Sequence, residues 1–406
     1  MSSITLSAAT RQNLLSLQDT ASLMATTQNR LATGKTVNSA LDNPTNFFTS
    51  QGLDARSSSL NTLLDGVSNG VQSIQAANQG ITSIQKLVDQ AKSLANQALS
   101  TQLTTAGTAT NAFPVTTSTA TSTASFTING TSVSANFAAS SSITAVVSAL
   151  NTAVSSASTT SNGSFGAGAI FSVDSTGTKI VLNAQADVEF LNSSSQAALG
   201  FASSSTTAST FASGTTVVSS DLAISGVSQR KNLSQQYNNL LNQITQLAGD
   251  ASYNGVNLIA GTGNNLTIKF NDTGSSKLDV TSVDATASGL GLSSITNSNS
   301  STSSNGLGNF LLNSDVNSTL TTLTNASNTL NSAASTLGSN LSVVQNRQDF
   351  SKQLINVLQT GSANLTNADL NQEAANSQAL STRQSMGISA LSLANSAQQG
   401  VLQLLR

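Results

Sequence analysis

Residues 370–406 read LNQEAANSQALSTRQSMGISALSLANSAQQGVLQLLR, with no proline and two charges, Glu373 and Arg383, ahead of Arg406. Two apolar stripes run along the stretch at helical spacing. One holds Ile388, Leu391, Leu402 and Leu405, with Asn395 and Gln398 in the same rows; the other holds Met386, Ala390, Leu393, Ala397, Val401 and Leu404. A helix docked on one core needs a single stripe roughly 100° wide beneath a charged outer face. Here the outer face is nearly uncharged and the apolar surface is divided. The pattern predicts a helix with neighbours on more than one side, more than a single copy of the chain supplies.

Composition narrows the rest. The 406 residues have room for two or three domains. Charged residues are 8%, against roughly 25% in ordinary soluble proteins. A net charge of −2 offers no basic patch for nucleic acid or an anionic membrane, and little repulsion to keep copies apart. There is no Cys, hence no disulfide, thiolate metal site or thiol nucleophile, and no His, hence no Ser-His-Asp triad or HExxH zinc helix. The acidic residues are scattered singly. We expect no enzyme, no cofactor and no metal site. Met1 to Thr10 lacks a basic stretch followed by an apolar core, so no cleavable secretory signal is expected. No run approaches the roughly 18 apolar residues that span a bilayer.

Leu14, Leu17, Ala21, Met24, Gln28 and Leu31 follow the 3-4 alternation of a coiled-coil seam, and Gly34 suits the helix end. Asp42-Asn43-Pro44 marks a turn. A second seam runs Leu60, Leu64, Val67, Val71, Ile74, Asn78, Ile81, Gln85, Val88. Past residue 84 a neighbouring stripe of Ile84, Leu87, Ala91, Leu94 and Ala98 takes over. The helix over about 47–100 has a length on the order of 80 Å, a rod. Residues 101–225 hold five charges, Asp174, Lys179, Asp187, Glu189 and Asp221. Heptads give way there to β-type runs: a hairpin about Asn129-Gly130, a helix face of Ile143, Val146, Val147 and Leu150, and strands 170–174 and 179–182. The Ser/Thr-rich flanks 103–125 and 202–220 read as flexible or exposed. Leu233, Tyr237, Leu240, Ile244 and Leu247 restore the helix period to the turn at Tyr253, and 266–270 with 277–280 alternate as strands. The third long seam is Val316, Leu320, Leu323, Ser327, Leu330, Ala334, Leu337, Leu341, Val344, Gln348, Ser351, Ile355, Leu358. It predicts one helix from Phe310 to Gly361, followed by a polar break over 361–367.

The fold class expected is mainly α: a long antiparallel coiled-coil-like helical rod of paired N- and C-terminal segments, with a β-hairpin and a small inserted α+β outer domain. The simplest closure pairs the first helix with the last and the second with the third.

Gln28 to Asp42, QNRLATGKTVNSALD, resembles the N-terminal motif of bacterial flagellins, with Thr33 at the usual Ser position and Pro44-Thr-Asn46 in place of Ala-Ala-Gly. Residues 253–261, 369–373 and 401–406 are similar to that family's rod turn and C-terminal signature. The resemblance covers about 1–100 and 226–406. Residues 125–201 also resemble the small repeat module of flagellins and hook-associated and cap proteins. Its position, splitting the two N-terminal rod helices, departs from the better-known arrangement.

The resemblance implies inner-core helices at 1–45 and 365–406, a rod domain of 46–100, 226–300 and 305–361, and a surface-exposed outer domain at 101–225. It implies a homopolymer built through Leu14, Leu17, Met24, Leu31, Ile388, Leu391, Leu393, Val401, Leu402, Leu404 and Leu405. Export by the flagellar type III apparatus to an extracellular filament for motility follows, as do hook-associated and cap partners and an export chaperone on the C-terminal region. The alternative within the class is a hook–filament junction protein. An enzymatic zinc insert is excluded by the lack of His, and a stalked adhesin predicts an anchor that is not visible. At the rod position where some flagellins meet an innate receptor, Gln90, Lys92 and Leu94 stand in a run that lacks the family's arginine and acid, which implies weak recognition.

Overall fold

The computed structural model describes residues 8–113, 122–160, 169–202, 217–295 and 310–404. Its helices are α1 (Ala8–Thr33), α2 (Pro44–Ser100), α3 (Ile143–Thr160), α4 (Ser193–Ala198), α5 (Val227–Asp250), α6 (Asn313–Thr366) and α7 (Leu370–Leu404). The strands are β1 (Thr104–Thr108), β2 (Ser122–Ile128), β3 (Thr131–Phe137), β4 (Phe171–Val173), β5 (Ile180–Ala184), β6 (Val188–Phe190) and β7 (Leu222–Ser225). Two short ladders follow, β8 (Ser252–Tyr253) with β9 (Val256–Asn257), and β10 (Leu266–Lys269) with β11 (Lys277–Val280). The chain is mainly helical, as expected.

Local chemistry sets the helix ends. Gly34, at φ 70°, closes α1 with its N–H on the Arg30 carbonyl at 2.8 Å, a left-handed position that favours glycine. Asn43 caps α2 by accepting from the Asn46 N–H at 3.1 Å, and Pro44 takes the first helical position. Asp369 caps α7 through the N–H groups of Asn371 and Gln372. The polar break expected over 361–367 is shorter: α6 continues to Thr366. Gly361 sits against Leu53, and Ser362 and Thr366 are buried, so packing holds this polar turn helical where its composition favours a loop.

The structure divides into two compact units, and α2 and α6 contribute to both. The first comprises the chain up to Ser68, Ile268–Leu278, and the chain from Val344 on. Here α1 packs antiparallel on α7, and Leu60 of α2 packs with Ile355 and Leu358 of α6. Arg347 of α6 lies over the Phe270 ring at 5.6 Å.

The second unit comprises Asn69–Thr267 and Asp279–Val343. In this unit the buried face of α2 is a single uninterrupted stripe of Ile74, Ala77, Ile81, Ile84, Val88, Ala91, Ala95 and Ala98. The change of stripe expected near residue 84 does not occur. Ala77, Ala91, Ala95 and Ala98 continue the seam and leave Leu87 and Leu94 half-exposed. On α5, Leu241 and Ala248 are buried in place of Leu240 and Leu247; on α6, Thr319 and Ala333 take the places expected of Leu320 and Ala334. Gln85 Nε2 donates to Ser327 Oγ at 2.7 Å, tying α2 to α6. Gly80 is required by proximity: a Cβ there would stand 2.6 Å from Ile259 Cδ1 and 2.7 Å from the Ala251 Cβ.

The β-rich module has two antiparallel sheets, ordered β4-β5-β1-β7 and β3-β2-β6. Its β2–β3 hairpin turns at Asn129-Gly130, both at positive φ, as expected of this dipeptide. Phe126 meets Phe171 edge-on at 5.4 Å, and Phe190 meets Phe201 at the same separation. α3 contributes Val146, Leu150 and Val154 to this core.

Asp187 and Glu189, two residues apart beside β2, are both buried. Burial, then the neighbouring Glu189 carboxylate, push the Asp187 pKa from 3.8 up to about 8. A carboxyl raised on folding leaves full stability below its unfolded value and removes it as pH climbs through the folded one. The module should therefore lose stability between about pH 4 and pH 8, with a fall in Tm on the order of 10 °C. Asp187→Asn should flatten that slope and raise the Tm at pH 8. Thermal unfolding followed by far-UV circular dichroism across this range checks it; an unchanged slope in the variant would refute it.

Candidate assembly surface

The α1–α7 pair is built by an unexpected set of residues. On α1 the covered positions are Thr10, Asn13, Leu17, Thr20, Met24, Thr27 and Arg30; on α7 they are Glu373, Ser377, Leu380, Gln384, Gly387, Leu391 and Ala394. Both sets keep coiled-coil spacing, yet most members are small or polar. Gly387 receives Leu17: a Cβ on it would lie 3.1 Å from Leu17 Cγ. At the α7 base, Arg30 Nη1 contacts Glu373 Oε1 at 3.3 Å.

Many of the larger apolar side chains point away. Leu15 is 63% exposed, Met386 60%, Ile388 55% and Leu393 74%, and Leu14, Leu23 and Leu31 are exposed as well. Of the seam expected on α1, only Leu17 and Met24 face α7; Leu14, Ala21, Gln28 and Leu31 do not. A 3-4 stripe through 17 and 24 can continue as 14, 21, 28 or as 13, 20, 27, and the second option lets Thr and Asn sit where the backbones come closest. Among the described residues, the stripe of Met386, Ala390, Leu393 and Ala397 is wholly outward, while Leu391 of the other stripe turns in. Leu405 and the side chains of Val401, Leu402 and Leu404 lie outside the described residues. Leu15 and Leu23 escaped the sequence reading because they fall outside the 3-4 rows.

The irregular link between α1 and α2 is held by one carboxylate. Asp42 accepts from the N–H groups of Asn38 and Ser39 and from the Ser39 hydroxyl at 2.9–3.2 Å. Those backbone bonds, Ser39's foremost, hold its pKa below the usual carboxylate range. Lys35 and Asn367 form a bridge across the same link, and the Thr36 N–H donates to the Thr366 carbonyl at 2.7 Å.

A second exposed face lies between α2 and α5. Gln90 and Leu94 line a shallow groove of about 430 Å³ with Gln236, Asn239, Leu240 and Gln243. Lys92, though half-buried, is not among the lining residues, so the structure brings together two of the three positions singled out there.

The sequence matches the model of the bacterial flagellin N-terminal helical region over residues 3–126 and that of the C-terminal helical region over 320–405, together just over half of the chain. The chain belongs to the bacterial flagellins. Flagellin FljM of Caulobacter vibrioides is 32% identical over 174 residues, 43% of this chain and 59% of that protein. FljO of the same organism is 33% identical over the same length. Flagellin A of Rhizobium meliloti is 42% identical over 77 residues, 19% of this chain and 20% of its own. This flagellin thus spans about 59% of the length of the Caulobacter relatives. None of its described helices is long and apolar enough to cross a membrane.

Proposed function

We propose that this flagellin is the self-assembling structural subunit of an extracellular flagellar filament. The α1–α7 pair carries the reading. Its seam holds Leu17, Met24, Leu380 and Leu391 among small and polar residues such as Thr10, Thr27, Ser377 and Gly387, while Leu15, Met386, Ile388 and Leu393 face outward, more exposed apolar surface than a helix pair that ends its packing with itself presents. Burying those faces on neighbouring copies supplies the free energy that orders the ends, against a cost of roughly 1–2 kcal/mol per backbone residue. Heterologous contacts that do not close a ring propagate as a helix.

On this reading 1–45 and 365–406 form the inner core, 46–100, 226–300 and 305–361 the rod, and 101–225 the outer domain. Assembly runs through Leu14, Leu31, Ile388, Leu393, Val401, Leu402, Leu404 and Leu405, with Leu17, Met24 and Leu391 holding α1 to α7 within each copy. Export follows the flagellar type III route, with an export chaperone on the C-terminal region and hook-associated and cap proteins at the filament ends; motility is the outcome. Relatives named as flagellins support the filament over the hook–filament junction. The role is structural, without catalysis.

Seeded polymerisation of the purified chain, viewed by electron microscopy, tests the reading: filaments are expected, and a chain lacking Gly387 to Arg406 should stay monomeric. Normal polymerisation of the truncated chain would overturn the assignment of the surface. The groove of Gln90 and Leu94 presents amides where a guanidinium–carboxylate pattern is read, so the monomer should activate the flagellin-sensing innate receptor weakly. Full potency in reporter cells would sink that expectation.

A further inference from the structure

Among the described residues, β3 is the free edge of its sheet. It pairs with β2 residue by residue, from Ile128↔Thr131 to Ser122↔Phe137, without a bulge. Among the described residues no strand lies on its other side. Val133, Ala135 and Phe137 point into the module core, while Ser132, Ser134 and Asn136 are exposed. Side-chain bonds of the exposed row run within the hairpin, Ser134 Oγ with Ser125 Oγ at 3.0 Å and Thr123 Oγ1 donating to Asn136 Oδ1 at 2.7 Å. Proteins blunt such edges with lysine, inward charge, proline, a bulge, a very short strand or a cover. β3 is seven residues long, contains no proline, and lies in a stretch from Ser93 to Val173 that carries no charge at all.

We propose that β3 pairs antiparallel with β3 of a second copy of this chain, joining two three-stranded sheets into one ordered β6-β2-β3-β3-β2-β6. The partner is a second copy because the edge is self-complementary. An antiparallel pairing centred on Ser134 sets Ser132 against Asn136, with neither charge nor bulk opposing it. Such a contact has a dyad. The location of the two copies rests on the filament reading. Subunits of one helical filament are related by rotation and translation along a polar axis, and no dyad relates neighbours. The pairing therefore joins copies in different filaments lying side by side, where many weak contacts act together.

The absence of cysteine gives a clean test, because Ser134→Cys introduces the sole thiol. Directly opposed residues in an antiparallel pair have Cα atoms about 4.5–5.5 Å apart, within disulfide reach. Mild oxidation of the full chain carrying Ser134→Cys should give covalent dimers, both in filament suspensions and in concentrated unassembled protein. Chains with Ser132→Cys alone or Asn136→Cys alone should stay uncoupled, and a mixture of the two should cross-link. In electron micrographs Ser134→Lys filaments should lie singly where unsubstituted ones pack laterally. Absence of dimers from Ser134→Cys, or equal coupling of Ser132→Cys by itself, overturns the proposal. Failure to form filaments at all would count against the filament reading, while cross-linking of the unassembled chain still decides the edge.

Discussion

A chain carrying Ile388→Asp and Leu393→Asp should fold as the unsubstituted flagellin does and fail to polymerise. The two side chains are 55% and 74% exposed on α7, so neither change removes a contact that holds the monomer. Covering a Leu or Ile side chain on a neighbour contributes about 1.5–3 kcal/mol. Two such losses, with a carboxylate forced into each apolar contact, raise the critical concentration by about 100-fold or more, since each 1.4 kcal/mol is a factor of ten. Sedimentation after seeding measures the critical concentration, and circular dichroism checks the fold. A critical concentration within threefold of the unsubstituted value would show that this face is not where copies meet.

Arg230→Met should cost about 3 kcal/mol or more of stability in the second unit. Arg230 is buried at the start of α5. Its guanidinium donates from Nε to the Thr101 carbonyl at 2.9 Å, from Nη1 to the Phe310 and Leu311 carbonyls at 3.1 Å, and from Nη2 to Asn313 Oδ1 at 2.9 Å. Burial pulls its pKa down to about 10; at neutral pH it remains a cation stabilised by four neutral acceptors. One planar fork thus ties together the end of α2, the start of α5 and the approach to α6. Methionine keeps the volume but removes every donor, and buried acceptors left without a partner cost about 1–3 kcal/mol each. Arg230→Lys should fall short too, because an ammonium cannot span four acceptors on two separate segments. Urea unfolding gives the loss, and limited proteolysis should show new cleavage near residues 101 and 310. A destabilisation below 1 kcal/mol in both variants would mean that the fork is dispensable.

Periodicity made the helices and their order legible. The heptads of 60–98, 233–247 and 316–358 lie on α2, α5 and α6, and the Asn129-Gly130 turn lies between β2 and β3. Hydrophobic spacing reports the repeat of a helix, but it does not say which of two adjacent rows meets the partner. On α2 the row chosen was that of Ala77, Ala91, Ala95 and Ala98, and on α1, which runs close along α7, that of Thr20 and Thr27. Arg230, Asp187 and Glu189 left no local signal. An isolated charge in a polar sequence looks solvent-exposed until the segments that enclose it are brought together from 80 or more positions away, as Phe310 and Leu311 are for Arg230.

For the C-terminal segment, the sequence by itself determined that the helix carries apolar surface on more than one side, because Met386 to Ala397 leaves almost no charge to face water. Only the tertiary structure decided how that surface is divided. Gly387 admits Leu17, and the α1 row of Thr and Asn fits against Ser377, Gln384 and Ala394. The inner contact therefore sets Leu17, Met24, Leu380 and Leu391 among small and polar side chains, and Ile388 and Leu393 are left facing outward. Two helices can approach closely along only one pair of rows, and backbone proximity fixes that pair whatever the hydrophobicity of the rows beside it.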